Sequence, residues 1–285
     1  MASETGIAKL WRLERPSPQK GGGGYVEAPI SLTSPAVLAR VAVAAVLLVL
    51  FAGCVRLAEI DVAALVKGLP RLAQWAGKSW PPYLADLDVY WLRAAETVAI
   101  ATVATAVATV VAFPLAIFIA RNVSPSPAIA TPIRMLVNCF RGVDTIVFAL
   151  LFVAAVGLGP FAGVLGMLVH SIGVIAKLNS EAIETIPLAP MEAAAMTGAN
   201  KTKIISYALL PSVLPSLSSV SLYVWEANVR TSTILGIVGA GGIGIEIKAA
   251  IDLLDFPKLL TVTVIMLVMV TVIDQFSAWL RRQLI

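Results

Sequence analysis

The sequence predicts an all-α integral membrane protein with six transmembrane helices and both termini in the cytoplasm. Three observations carry that expectation. Of the 285 residues, 59% are hydrophobic and only 13% are charged, with a mean hydropathy of +0.90, a balance that a water-facing surface does not allow. Apolar runs of about 20 residues or more, each long enough to cross a hydrocarbon core, recur along the chain. Basic residues fall in the short connections that a six-span path places on one side of the membrane. The net charge of +4 is spread out with no basic patch, so nucleic acid is not expected as a partner.

Taken in order, residues 1–35 form a polar tail with Lys9, Arg12, Arg15, Lys20 and a run of glycines from Gly21 to Gly24, expected in the cytoplasm. The first span is expected over Pro35–Leu57. It ends in Leu50-Phe51-Ala52-Gly53-Cys54, which has the look of a lipoprotein cleavage box, but the long tail and the spans that follow argue for an uncleaved helix. Glu59 to Arg93 is mixed and holds Trp75, Trp80, Tyr83, Tyr90 and Trp91, which suits a helix lying at the outer interface, so residues 36–93 form one region and residues 94–285 the transmembrane core. Further spans are expected over Ala94–Ala120, Ile133–Val156, Phe161–Ala182, Ser212–Val238 and Pro257–Leu280, with a polar turn from Glu246 to Asp255 outside.

A polar island, residues 181–211, separates the fourth and fifth spans on the cytoplasmic side. Pro187 and Pro190 end the preceding helix, because proline pushes its predecessor out of the α region. A short helix should start at Pro190 or Met191, with Glu192 favoured in its first turn by the macrodipole, Ala193 to Ala195 as helix formers and Gly198 as a left-handed stop. Its smooth alanine face is expected to pack against something outside the run.

Several motifs are tested against their context. Gly77-Lys78-Ser79 mimics the end of a phosphate-binding loop, but Leu72 stands where that loop requires glycine, so no nucleotide site is expected in this chain. Gly239-Ala240-Gly241-Gly242-Ile243-Gly244 matches a dinucleotide fingerprint, yet spans flank it on both sides, and a non-helical crossover at the outer face is expected instead. Glycines 239, 241, 242 and 244 are therefore candidates for a pathway or gate. Ionisable groups inside spans each cost on the order of 3 kcal/mol, which singles out Arg141 with Asp144 and Glu226 with Arg230. Arg230, with Asn228 and Thr231 beside it, is the candidate for meeting an anion, and His170 is a further interior candidate. Lys177 is expected to snorkel to the headgroups. Cys54 and Cys139 lie far apart in apolar runs and are expected as buried free thiols; no metal site is expected, and a single histidine excludes the H-E-x-x-H chemistry.

With these residues in view, Glu192-Ala193-Ala194, then Gly198, Ala208 and Leu210-Pro211, resemble the cytoplasmic loop signature of type I ABC importer permeases, E-A-A-x3-G-x9-I-x-L-P, departing from it only at Ala208. Within that family the chain is most similar to phosphonate importer permeases over residues 94–280, through His170-Ser171-Ile172-Gly173, Leu222 to Glu226 with Asn228-Val229-Arg230, and Leu235 to Gly244. The resemblance implies a permease of the bacterial cytoplasmic membrane, embedded in the lipid bilayer. It implies a second copy of the chain, two cytoplasmic ATPase subunits that handle ATP and Mg, and an extracytoplasmic binding protein. The cargo it implies is a phosphonate, phosphite or phosphate anion, with no cofactor and no bond chemistry in this chain. Coupling to the ATPase falls to Glu192, Ala193, Ala194, Gly198, Leu210 and Pro211. The alternatives are a permease for another small solute, a passive channel, or an intramembrane hydrolase using Ser171, His170 or Glu226.

Overall fold

The computed structural model describes residues 35–284 except 125 and 188. The tail expected over residues 1–35 thus lies, but for its last residue, outside the described residues. The described chain is helical, and no strand occurs among the described residues. It divides into two compact units with the boundary between Arg71 and Leu72.

Helix α1, Pro35–Leu57, is the expected first span, apolar all round and with none of its most apolar window buried. A helix without a polar stripe has no water-facing side, so its natural surroundings are lipid. Helix α2, Val62–Lys78, is amphipathic: Val62, Leu65, Val66, Leu69 and Leu72 recur at helical spacing opposite Lys67, Arg71 and Gln74, and none of its residues is buried. Asp61 caps it, its Oδ1 accepting from the backbone N–H groups of Ala63 and Ala64 at 2.8 and 3.0 Å.

The second unit is built on helix α3, Leu87–Ile119, packed along helix α6, Pro160–Glu184. Ala101, Ala104, Ala108, Ala112 and Ala116 repeat every three or four residues on α3 and are fully buried. Side chains that end at Cβ let backbones approach closely, which matters in a bilayer where apolar burial alone does not drive helices together. Glycines on α6 do the same for its other neighbours. A Cβ on Gly166 would stand 2.6 Å from the Cα of Ala149, and one on Gly173 would stand 2.5 Å from the backbone nitrogen of Arg141.

Around this pair lie α4, Pro127–Gly142; α5, Thr145–Val156; α7, Ala189–Met196; α8, Lys201–Ile204; α9, Leu210–Ile237; α10, Gly244–Asp252; and α11, Phe256–Leu284. A π-helical turn, Ile205–Leu209, joins α8 to α9. Among the described residues, five helices are long and apolar enough to cross a membrane: α1, α3, α6, the rod over Thr202–Ile237, and α11. The sixth candidate is the pair α4 and α5, which bend by 88° at their junction.

That bend corrects the continuous third span expected over Ile133–Val156. Asp144 is the cap of a new helix, its Oδ1 accepting from the Ile146 N–H at 3.3 Å, and Arg141 ends the preceding one; among the described residues no ion pair joins them. Further differences concern helix limits. The second span begins at Leu87, seven residues before the expected Ala94, and the fifth begins at Lys201 instead of Ser212. Pro211 therefore lies inside the rod, just after the π turn, which brings the Leu210 N–H to the Ile205 carbonyl and accommodates the proline's missing N–H. The stretch expected as a polar turn, Glu246 to Asp255, is largely helix α10, because Glu246 favours a helix start and Ala249-Ala250 propagate it. Both cysteines are exposed on the chain, not buried. In a membrane helix, apolar neighbours mark contact with lipid as readily as contact with protein.

Candidate functional site

The sequence-predicted residues gather in three places along the second unit. At one end is α7, with Glu192 in its first turn and Ala193 and Ala194 on its flank. No residue of α7 is buried, and Met196 is among the most exposed apolar side chains. Only its underside is held: Met191 packs on a cluster of Val123, Ile183, Leu209 and Val213. Gly198 has φ +79° and nothing within 4 Å of where a Cβ would stand, so it is required for the left-handed turn and not for lack of room. The anchor beneath is polar as well. Arg121 N–H donates to Glu184 Oε1 at 2.8 Å and Asn122 Nδ2 to the Ile183 carbonyl at 2.8 Å, tying the α3–α4 turn to the end of α6. Leu210 and Pro211 open α9, and Ala208 lies in the π turn.

At the other end, Gly239 to Gly244 form the expected non-helical crossover between α9 and α10. Gly239, Gly241 and Gly242 all have positive φ, near +80° to +90°. From Ala240 to Gly244 the turn is closely packed. Ala240 and Ile243 are fully buried, and a Cβ on Gly241 would stand 2.8 Å from the Cα of Pro160. One on Gly244 would overlap the Thr233 carbonyl oxygen. Two hydrogen bonds hold the irregular backbone: the Ile243 N–H donates to Thr97 Oγ1 at 2.8 Å, and the Gly159 N–H donates to the Gly239 carbonyl at 2.9 Å. Buried backbone polar groups demand such partners. Thr97 was not singled out in the sequence, because a lone threonine on an apolar helix carries no spacing signal. An open crevice of about 530 Å³ runs along the turn, lined by Arg93, Glu96, Pro160, Gly239 and Lys248. Arg93 pairs with Glu96 at 2.7 Å and with Glu246 at 3.6 Å on its rim.

Between these ends lies the polar interior. Asn228 on α9 donates through Nδ2 to Thr105 Oγ1 on α3 and to Ser171 Oγ on α6, each at 2.8 Å, and all three residues are buried. This bond pattern pins α9 to the central helix pair. His170 points elsewhere: its Nδ1 lies 2.9 Å from the Val143 carbonyl, so that nitrogen carries the proton and donates at the α4–α5 bend. Neither residue is free to act with the other, because Ser171 serves Asn228 while His170 serves the bend. Lys177 pairs with Glu181 at 3.2 Å on its own helix, and Asn179 is buried with its Oδ1 lacking a partner.

Glu226 and Arg230 form the expected helical pair at 3.2 Å, but they do not stand alone. Glu226 also accepts from Arg281 at 3.0 Å, and Arg230 lies 3.6 Å from Asp274. Arg281 and Asp274 both belong to α11, and only the packing of α11 on α9 brings them here. Arg230 is 48% exposed, on the stripe of α9 that also exposes Tyr223, Ile234 and Ile237. Further toward the start of α9, two cavities of about 560 and 360 Å³ lie in the α3–α9 groove, lined in part by Thr102, Thr109, Ser218 and Ser221; Arg230 lines neither.

Residues 112–285 match the family described as the binding-protein-dependent transport system inner membrane component. Among curated proteins the chain is 49% identical to the putative phosphite transport system permease protein HtxC of Stutzerimonas stutzeri, over 78% of this chain and 79% of that one. It is 38% identical to the phosphite transport system permease protein PtxC of the same species, over 84% and 87%. Among solved structures it resembles a chain of the MetNI methionine ABC transporter in an inward-facing conformation, with TM-score 0.63 at 22% identity, covering 71% of this chain and all of the other. That likeness shows the fold. The chain belongs to the family of binding-protein-dependent transport system inner membrane components and is a membrane permease subunit of an ABC importer, a transport part and not an enzyme.

Proposed function

We propose that this permease moves phosphite or a closely related phosphorus oxyanion, phosphonate or phosphate, across the cytoplasmic membrane. The observation that carries the reading is similarity at 49% identity over most of the chain to a permease named for phosphite, together with an arginine exposed in a spanning helix. An exposed guanidinium within a span does not face lipid without large cost, so it faces a second copy or a water-filled path. Its planar fork suits a tetrahedral oxyanion.

In this reading two copies of the chain enclose the pathway, and two ATPase subunits receive the exposed face of α7. An outer binding protein delivers the anion near the crevice beside Gly239 to Gly244. Glu192, Ala193, Ala194 and Gly198 form the coupling contact, with Leu210 and Pro211 carrying its movement into α9. ATP and Mg belong to the ATPase. The glycines of the crossover act as the outer gate, and Glu226, Asn228 and Arg230 line or support the path, with His170 holding the α4–α5 bend. Residues 36–93 supply the first span and the outer interfacial segment that includes α2, and residues 94–285 form the transport core with its coupling loop over 181–211.

The test is uptake of phosphite into proteoliposomes holding the permease with its ATPase and binding protein. Wild type accumulates phosphite when ATP is supplied, and R230Q assembles normally but loses uptake by about tenfold or more. Uptake unchanged in R230Q removes Arg230 from the pathway; wild type that carries none of the three anions removes the substrate assignment.

A further inference from the structure

Four charged side chains meet between α9 and α11, and their bonding is unequal. Glu226 is fully engaged: Oε1 accepts from Arg230 and Oε2 from Arg281, at 3.2 and 3.0 Å, and its side chain is only 14% exposed. Asp274 is held loosely. Its Oδ2 lies 3.6 Å from Arg230 Nη1, beyond hydrogen-bond reach, while its buried Oδ1 has no hydrogen-bond partner among the described residues. The Asp274 side chain is 39% exposed, so solvent takes over Oδ2 when the weak contact with Arg230 is given up. It is therefore the member of the cluster that leaves most easily.

The charges decide what its departure does. Two arginines and two carboxylates sum to zero, and a neutral cluster has little attraction for an anion. With Asp274 withdrawn, Arg230, Arg281 and Glu226 carry one net positive charge, and one edge of the Arg230 fork is open. Arg281 matters because it occupies the second oxygen of Glu226. That prevents the glutamate from closing on both edges of Arg230.

We propose that Asp274 is a resident counterion of Arg230 that the transported oxyanion displaces, with Arg281 holding Glu226 back so that the guanidinium stays available. The proposal rests on the reading of the chain as an oxyanion permease. It gives release as well as capture: return of Asp274 to Arg230 expels the anion, so the site stays weak and turnover stays fast.

The experiment uses the full complex of permease, ATPase and binding protein, with radiolabelled phosphite as probe. Retention by the detergent-solubilised complex and uptake into proteoliposomes are measured side by side. D274N, with the counterion charge removed, is expected to retain phosphite about tenfold more tightly and to turn over more slowly, while D274E resembles wild type. The gain should vanish in R230Q/D274N. Retention and turnover of D274N equal to wild type overturn the proposal, and so does a gain that persists without Arg230. Should D274N fail to assemble while R230Q/D274N assembles, Asp274 serves charge balance in the fold and the proposal falls. Failure of the wild type to carry phosphite, phosphonate or phosphate is a different result, which strikes the substrate reading itself.

Discussion

The two ends of the second unit are built on opposite principles. At the α7 end a helix stands with every residue outside the core, and Gly198 has open space around it. At the other end the glycine crossover is enclosed: Ala240 and Ile243 are fully buried, and almost no atom could be added to Gly241, Gly242 or Gly244 without meeting a neighbour. The contrast shows where each end expects its partner. In the proposed reading the exposed helix is completed by another protein, whereas the crossover finds its packing partners within the chain. Interfaces and packed cores are bistable and not continuously deformable, which is why the proposed reading gives coupling to the exposed end and gating to the enclosed one.

The sharpest way to break the contrast is to enlarge a residue at the enclosed end. G244V places side-chain atoms against the Thr233 carbonyl and should cost about 3 kcal/mol or more, read as loss of folded, membrane-inserted protein in a detergent thermal-stability assay. Normal stability in that variant would mean the crossover is loosely packed. T97V keeps the volume but removes the oxygen that the Ile243 N–H donates to, at an expected cost of about 1–3 kcal/mol. Its signature beyond stability is transport: a loosened crossover should leak phosphite without ATP, and a tight vesicle with this variant would show that Thr97 is only a packing residue. G198V is the mildest for the fold, about 1–2 kcal/mol, because its penalty is conformational and not steric. Here transport should fall much further than stability, with ATP hydrolysis continuing uncoupled. Coupled uptake at wild-type levels would remove Gly198 from the coupling contact.

Legibility followed the reach of each interaction. The short helix with its alanines and left-handed Gly198 was readable because caps, propensities and φ preferences act over a few residues. The same holds for the irregular glycine turn and for the Glu226–Arg230 pair, four apart on one helix. The third span was expected as one helix although Arg141, Gly142 and Asp144 interrupt its apolar run, because the bend at Val143 is held by His170, 27 residues away. Pro211 looked like a terminus since proline often ends a helix, and only the π turn before it shows that the helix starts ten residues earlier. The cysteines misled for a different reason: hydropathy reports distance from water and says nothing of whether lipid or protein supplies the surroundings.

By itself, then, the order of residues determined that the chain is a bundle of spanning helices with one short interrupting helix and one glycine crossover, since both hydropathy and backbone preference are local sums. Tertiary structure decided which charges share a cluster. Arg281 and Asp274 reach Glu226 and Arg230 only because α11 packs on α9, and Asn228 finds Thr105 and Ser171 only where α9 meets α3 and α6. Such contacts join residues separated by tens of positions, and no propensity or periodicity encodes them; they follow from how the small-residue faces of the helices let their backbones close together.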